Sequence, residues 1–105
     1  MDVLVRIKRL VFQGRVRYTE KAVDEMATGG LMPTDVEESI LNAQVIEKTL
    51  QSHSRMRRSS KDKLYVIKSF SFTGTLIYTK GKIDRQDGQE IFYILISAKI
   101  ATVGD

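Results

Sequence analysis

The apolar residues of this chain change their spacing near its midpoint, and that change limits what it can fold into. Before residue 44 they recur at three- and four-residue intervals, the period of an amphipathic helix. After it they alternate or form short β-branched and aromatic runs, as strands do. Leu4, Ile7 and Val11, flanked by Val3 and Leu10, predict a helix over 2–13, and Gly14 stops it. Thr19 caps a second helix over 20–28, with Ala22, Val23, Met26 and Ala27 on one side and Gly29-Gly30 at its end. Thr34-Asp35-Val36-Glu37 has the Thr-x-x-Glu form of a capping box, followed by a stripe of Val36, Ile40 and Leu41.

The second half predicts strands over 45–51, 64–72, 75–83 and 90–100, with a polar, basic loop over 52–63 and a hairpin turn over 84–88. Helices first and strands afterwards imply one α+β domain, with three N-terminal helices packed on one face of a C-terminal antiparallel sheet. The 105 residues have room for one such domain and show no repeat or linker.

Charge divides along the same line. Residues 1–52 carry seven Lys/Arg and eight Asp/Glu, whereas residues 53–105 carry ten and five, so the positive potential belongs to the strand half. That half would attract a polyanion, nucleic acid first. No cysteine and a single histidine, His53, leave little for a metal or a disulfide. No apolar run approaches 18 residues, and charges interrupt the N-terminal apolar segment, so a cytoplasmic chain without membrane association or cofactor is expected.

Strand parity then suggests a site. In the last strand Phe92, Ile94, Ile96, Ala98 and Ile100 share one face, read as the core face. Setting Ile77 near Ile96 and Tyr78 near Leu95 gathers Tyr78, Lys80, Lys82, Tyr93, Ser97 and Lys99 on the other. Lysines interleaved with phenols suit single-stranded RNA: cations hold phosphates and rings offer stacking platforms. Lysine and tyrosine also sit comfortably on any solvated sheet face. Lys48 shares the parity of Ile46 and Leu50, which predicts partial desolvation.

Two stretches carry a family resemblance. One is Ile7-Lys8-Arg9-Leu10-Val11-Phe12-Gln13-Gly14-Arg15-Val16-Arg17-Tyr18-Thr19; the other is Thr73-Gly74-Thr75-Leu76-Ile77-Tyr78-Thr79-Lys80 with the closing Ile96-Ser97-Ala98-Lys99. Over nearly its full length the chain resembles the MqsR-like toxin endoribonucleases of type II toxin–antitoxin systems, which have a RelE-like fold.

The resemblance implies a bacterial enzyme that cleaves mRNA without a metal, through attack by the RNA 2′-hydroxyl. It implies catalytic positions at Lys48, Tyr78 and Lys99. The family's glutamine after the basic loop has no counterpart, and Lys63 stands nearest to it. Lys21 stands where relatives outside the toxin branch often carry histidine. Arg55, Arg57, Arg58 and Lys61 of the loop, with Lys80, Lys82 and Tyr93, would hold RNA beyond the cut. The implied partner is a cognate antitoxin protein, in this branch often one with a zinc-binding and a DNA-binding domain. The missing glutamine leaves a non-catalytic RNA-binding module open, and a protein-interaction module docking through Phe70 and Phe72 is a further alternative.

Overall fold

A computed structural model describes residues 2–51 and 62–102. Among these residues the chain forms three helices and five strands, in the order α1 (Val3–Phe12), β1 (Val16–Tyr18), α2 (Glu20–Gly29), α3 (Pro33–Asn42), β2 (Lys48–Gln51), β3 (Lys63–Phe70), β4 (Leu76–Gln86) and β5 (Gln89–Ile100). Leu4, Ile7, Leu10 and Val11 form the buried stripe of α1, whose first turn is capped by Asp2 Oδ1 accepting from the Leu4 amide at 2.9 Å. Thr19 Oγ1 caps α2 through the Ala22 amide, and Gly30 closes it at φ 68°, a left-handed conformation that glycine adopts without strain.

The third helix starts two residues earlier than a cap at Thr34 predicts. Pro33 occupies its first position, where a fixed φ and a missing N–H cost nothing, and Met32 precedes it. Asp35 Oδ2 accepts from the Met32 amide at 2.9 Å, so Asp35, not Glu37, reaches back to the helix start. Glu37 instead accepts from the Tyr18 hydroxyl, tying the end of β1 to α3.

The sheet is mixed rather than antiparallel. Its order is β1-β5-β4-β3-β2, with β1 parallel to β5 and every other pair antiparallel. Three residues between a glycine stop and a threonine cap are too few to show a period of two, so β1 escapes a reading based on alternation. Asp87 and Gly88, both at positive φ, make the tight β4–β5 turn.

The expected parity of β5 holds for only its last third. Lys80 lies opposite Ser97 but Gly81 lies opposite Leu95, which makes Ile96 an extra residue; Ile91 is extra in the same way between Phe92 and Glu90. Such bulges shift the side-chain alternation of all that follows. Tyr93 and Leu95 are therefore buried in the core before the Ile96 bulge, and Ala98 after it. Ile77 lies opposite Ile100 and Tyr78 opposite Lys99, not near Ile96 and Leu95. The core joins α1, α2 and α3 to Tyr65, Ile67, Ile77, Ile83, Tyr93, Leu95 and Ala98, all on one side of the sheet.

Candidate functional site: the open face of the sheet

The strand residues that alternate with these core positions point to the side without helices. Cross-strand register arranges them in rows. One row runs Lys68–Tyr78–Lys99 across β3, β4 and β5. The next runs Lys48–Val66–Lys80 across β2, β3 and β4. Lys82, opposite Ile94, extends the lysine column along β4. Directly opposite residues in a sheet stand about 4.5–5.5 Å apart at Cβ, so each lysine flanks Tyr78, Val66 or Ile94 closely, while the lysines of neighbouring rows meet only on the diagonal, about 7–8 Å apart.

Apolar packing holds this face in order. Val66 is fully buried although it stands outside the helix-side core, and its cross-strand neighbours are Lys48 and Lys80. Lysine stems cover such a residue while their ammonium groups stay in water. The Lys99 ammonium lies 5.3 Å from the centroid of the Tyr78 ring. At the other end Arg17, in register with Ile94, places its guanidinium 3.9 Å from the centroid of Phe92. Both distances fall within the range of cation–π attraction. The only carboxylate among the described strand residues of this face is Asp84, opposite Phe92. The result is a concentrated positive surface carrying three aromatic side chains, Phe70, Tyr78 and Phe92.

The expected site residues divide accordingly. Lys48, Tyr78, Lys80, Lys82 and Lys99 share the open face by register. Lys48 is exposed rather than partly desolvated, because β2 is an edge strand of the described sheet. Lys63 pairs with Gln51 and has the parity of Tyr65, so it belongs to the opposite side and does not join Tyr78 and Lys99. Tyr93 is the clearest correction: it is fully buried beneath Gly81 on the helix side and offers RNA no ring. Ser97 is also buried, its hydroxyl donating to Glu25 Oε1 at 2.7 Å. Arg55, Arg57, Arg58 and Lys61 lie outside the described residues.

Sequence reasoning passed over Lys68 and Arg17, and it put Phe92 on the core face, whereas the register with Asp84 puts it on the open one. Lys68 was legible in principle, since it alternates with Val66 and Phe70, but its place beside Tyr78 needs the β3–β4 register. Arg17 and Phe92 meet only because β1 runs parallel to β5.

The fold and this face define an α+β domain with a basic, aromatic-bearing open sheet. No family model, curated protein or solved structure matches the chain. Among the described residues no helix is long and apolar enough to cross a membrane.

Proposed function

We propose that this protein is a metal-independent endoribonuclease toxin of the MqsR-like, RelE-like kind, cutting mRNA on the open face of its sheet. The observation that carries the reading is the row Lys68–Tyr78–Lys99, a phenol with a cation directly opposite it on each neighbouring strand.

RNA supplies its own nucleophile. The 2′-oxygen bonds to the adjacent phosphorus, the bond from phosphorus to the 5′-oxygen breaks, and a 2′,3′-cyclic phosphate is left. One proton must leave the 2′-oxygen and one must reach the departing 5′-oxygen. We assign that transfer to the Tyr78 hydroxyl, which both accepts and donates hydrogen bonds. Lys99 and Lys68 hold the non-bridging oxygens as negative charge builds on them, with Lys48 and Lys80 gripping the neighbouring phosphate. An antitoxin neutralises the protein by covering this face.

Incubating the purified protein with a long mRNA in EDTA and mapping the ends tests the reading. Cyclic-phosphate and 5′-hydroxyl ends support it; cleavage only with magnesium, leaving 5′-phosphates, overturns the mechanism. A second reading, RNA binding without cleavage, is favoured by one observation. Lys63, nearest to the position of the family's glutamine, lies on the helix side and leaves that catalytic position unfilled. No cutting in either buffer, together with salt-sensitive RNA binding, would select it.

A further inference from the structure

The pairing of β2 with β3 ends at Lys48 opposite Val66, with one further bond from the Glu47 amide to the Val66 carbonyl at 2.8 Å. β3 itself runs on to Phe70. The chain between α3 and β2 diverges from that last stretch of β3 and is tied back to it at Asn42, whose Nδ2 donates to the Phe70 carbonyl at 3.0 Å. A cleft of about 300 Å³ is left between the two segments, lined by Asn42, Gln44, Val45, Lys68, Ser69 and Phe70. Lys68 also belongs to the Lys68–Tyr78–Lys99 row, so the cleft opens beside that row.

Two walls of the cleft are apolar and open to solvent, Phe70 being 52% exposed and Val45 65%. An exposed phenyl ring is a stacking platform for an unpaired base. Two amides stand beside it. With Nδ2 committed to the Phe70 carbonyl, Asn42 has Oδ1 left to accept. Gln44 is exposed, and among the described residues its side chain makes no hydrogen bond. Amide side chains pair well with adenine, accepting from its N6 amino group and donating to a ring nitrogen. Guanine carries the acceptor O6 where adenine has that amino group, so a fixed Asn42 oxygen would repel it. Cytosine has an amino group but only one ring, and covers less of Phe70.

We propose, resting on the reading of the open face as an RNA surface, that this cleft holds an adenine base adjacent to the bond cut at the Tyr78 row. The base stacks on Phe70, Asn42 Oδ1 accepts from its amino group, and Gln44 donates to a ring nitrogen. Lys68 holds the phosphate that joins this base to the row.

Fluorescence anisotropy with labelled octamers of 2′-O-methyl uridine, which have no nucleophile and cannot be cut, tests the site. One octamer is uridine throughout, and the others carry a single central adenosine, guanosine or cytidine. The adenosine octamer should bind at least about fivefold more tightly than the guanosine one, the size of one good edge contact. Gln44→Ala and Phe70→Ala each alter an exposed side chain, and each should bring that preference to within about twofold, with circular dichroism unchanged. Lys80→Ala should weaken all the octamers alike and keep the preference. Equal affinity for the adenosine and guanosine octamers would overturn the adenine site, and so would a preference that survives both cleft variants; RNA binding by the open face would then stand. Failure of every octamer to bind, even at low salt, would overturn the RNA reading and this site with it.

Discussion

Lys99 stands directly opposite Tyr78 in the β4–β5 ladder, with its ammonium 5.3 Å from the centroid of the phenol ring. Lys99 follows the Ile96 bulge in β5 and Tyr78 precedes the matching Lys80–Gly81 step in β4, and their shared face is fixed by that register. Lys68 completes the row from β3. A phosphate bound over Tyr78 would meet positive charge from both flanks.

That arrangement makes RNA affinity salt-dependent. Each phosphate contact to a single strand contributes about −0.7 to the slope of log affinity against log salt. Lys68→Ala should flatten the slope by about that amount, measured by fluorescence anisotropy with a labelled single-stranded RNA. An unchanged slope would remove β3 from the RNA path.

Gly81 is needed for space. A Cβ there would lie 2.6 Å from Tyr93 Cζ, and Tyr93 is fully buried, so the ring has nowhere to move. Gly81→Ala should destabilise the fold by about 1–3 kcal/mol through overpacking, read as a lower midpoint in urea. Tyr93→Phe removes a buried hydroxyl that has no hydrogen-bond partner and should leave stability equal or slightly higher.

Alkaline pH should unfold the protein through two tyrosines. Burial first, and then the hydrogen bond to Glu37 and its charge, push the Tyr18 phenol well above the usual tyrosine value. Burial first, and then the neighbouring Tyr65, do the same to Tyr93. Both stay protonated in the fold, while the unfolded chain ionises them near pH 10. Their contribution is therefore complete below about pH 10 and lost as pH rises beyond it. Tyrosinate absorbance from these two should appear only with loss of the helical circular dichroism. Tyr18→Phe and Tyr93→Phe should each remove part of that late step.

Glu25 finishes the edge of β5 beyond β1. Its Oε1 accepts from the Ser97 hydroxyl and, at 3.2 Å, from the Ala98 amide, past the point where the pairing with β1 ends at Leu95. Glu25→Ala strands that amide and should cost about 1–3 kcal/mol in thermal or urea unfolding. Glu25→Gln, which retains an accepting oxygen, should recover most of it.

Two helices were legible because they carry their own boundary signals, Gly14 after α1 and Thr19 and Gly30 around α2, whereas the Thr34 signal misplaced the start of α3. The face of Tyr93 was not. Counting by twos puts Tyr93 and Lys99 together, yet one precedes the extra residue Ile96 and the other follows it, so they occupy opposite faces. Isoleucine packs equally well on either side of a sheet, and nothing in Ile91 or Ile96 marks a bulge. Tyr78 and Lys99 escaped the error because no bulge interrupts the ladder between them. The mixed sheet was hidden for a different reason: β1 has three residues, and its partners in β5 lie 77 positions further along the chain.

The central claim, that the Tyr78–Lys99 pair does chemistry on RNA, is tested most directly by single-turnover cleavage of one RNA by Lys99→Ala beside the wild type in EDTA. Tyr78→Phe, which keeps the ring and loses only the hydroxyl, serves as the companion. Loss of one preorganised charge-stabilising donor typically costs about 10²–10³ in rate. The account predicts a fall of that size in each variant, with circular dichroism unchanged and RNA affinity within about tenfold of wild type. Cleavage by Lys99→Ala at the wild-type rate would contradict it.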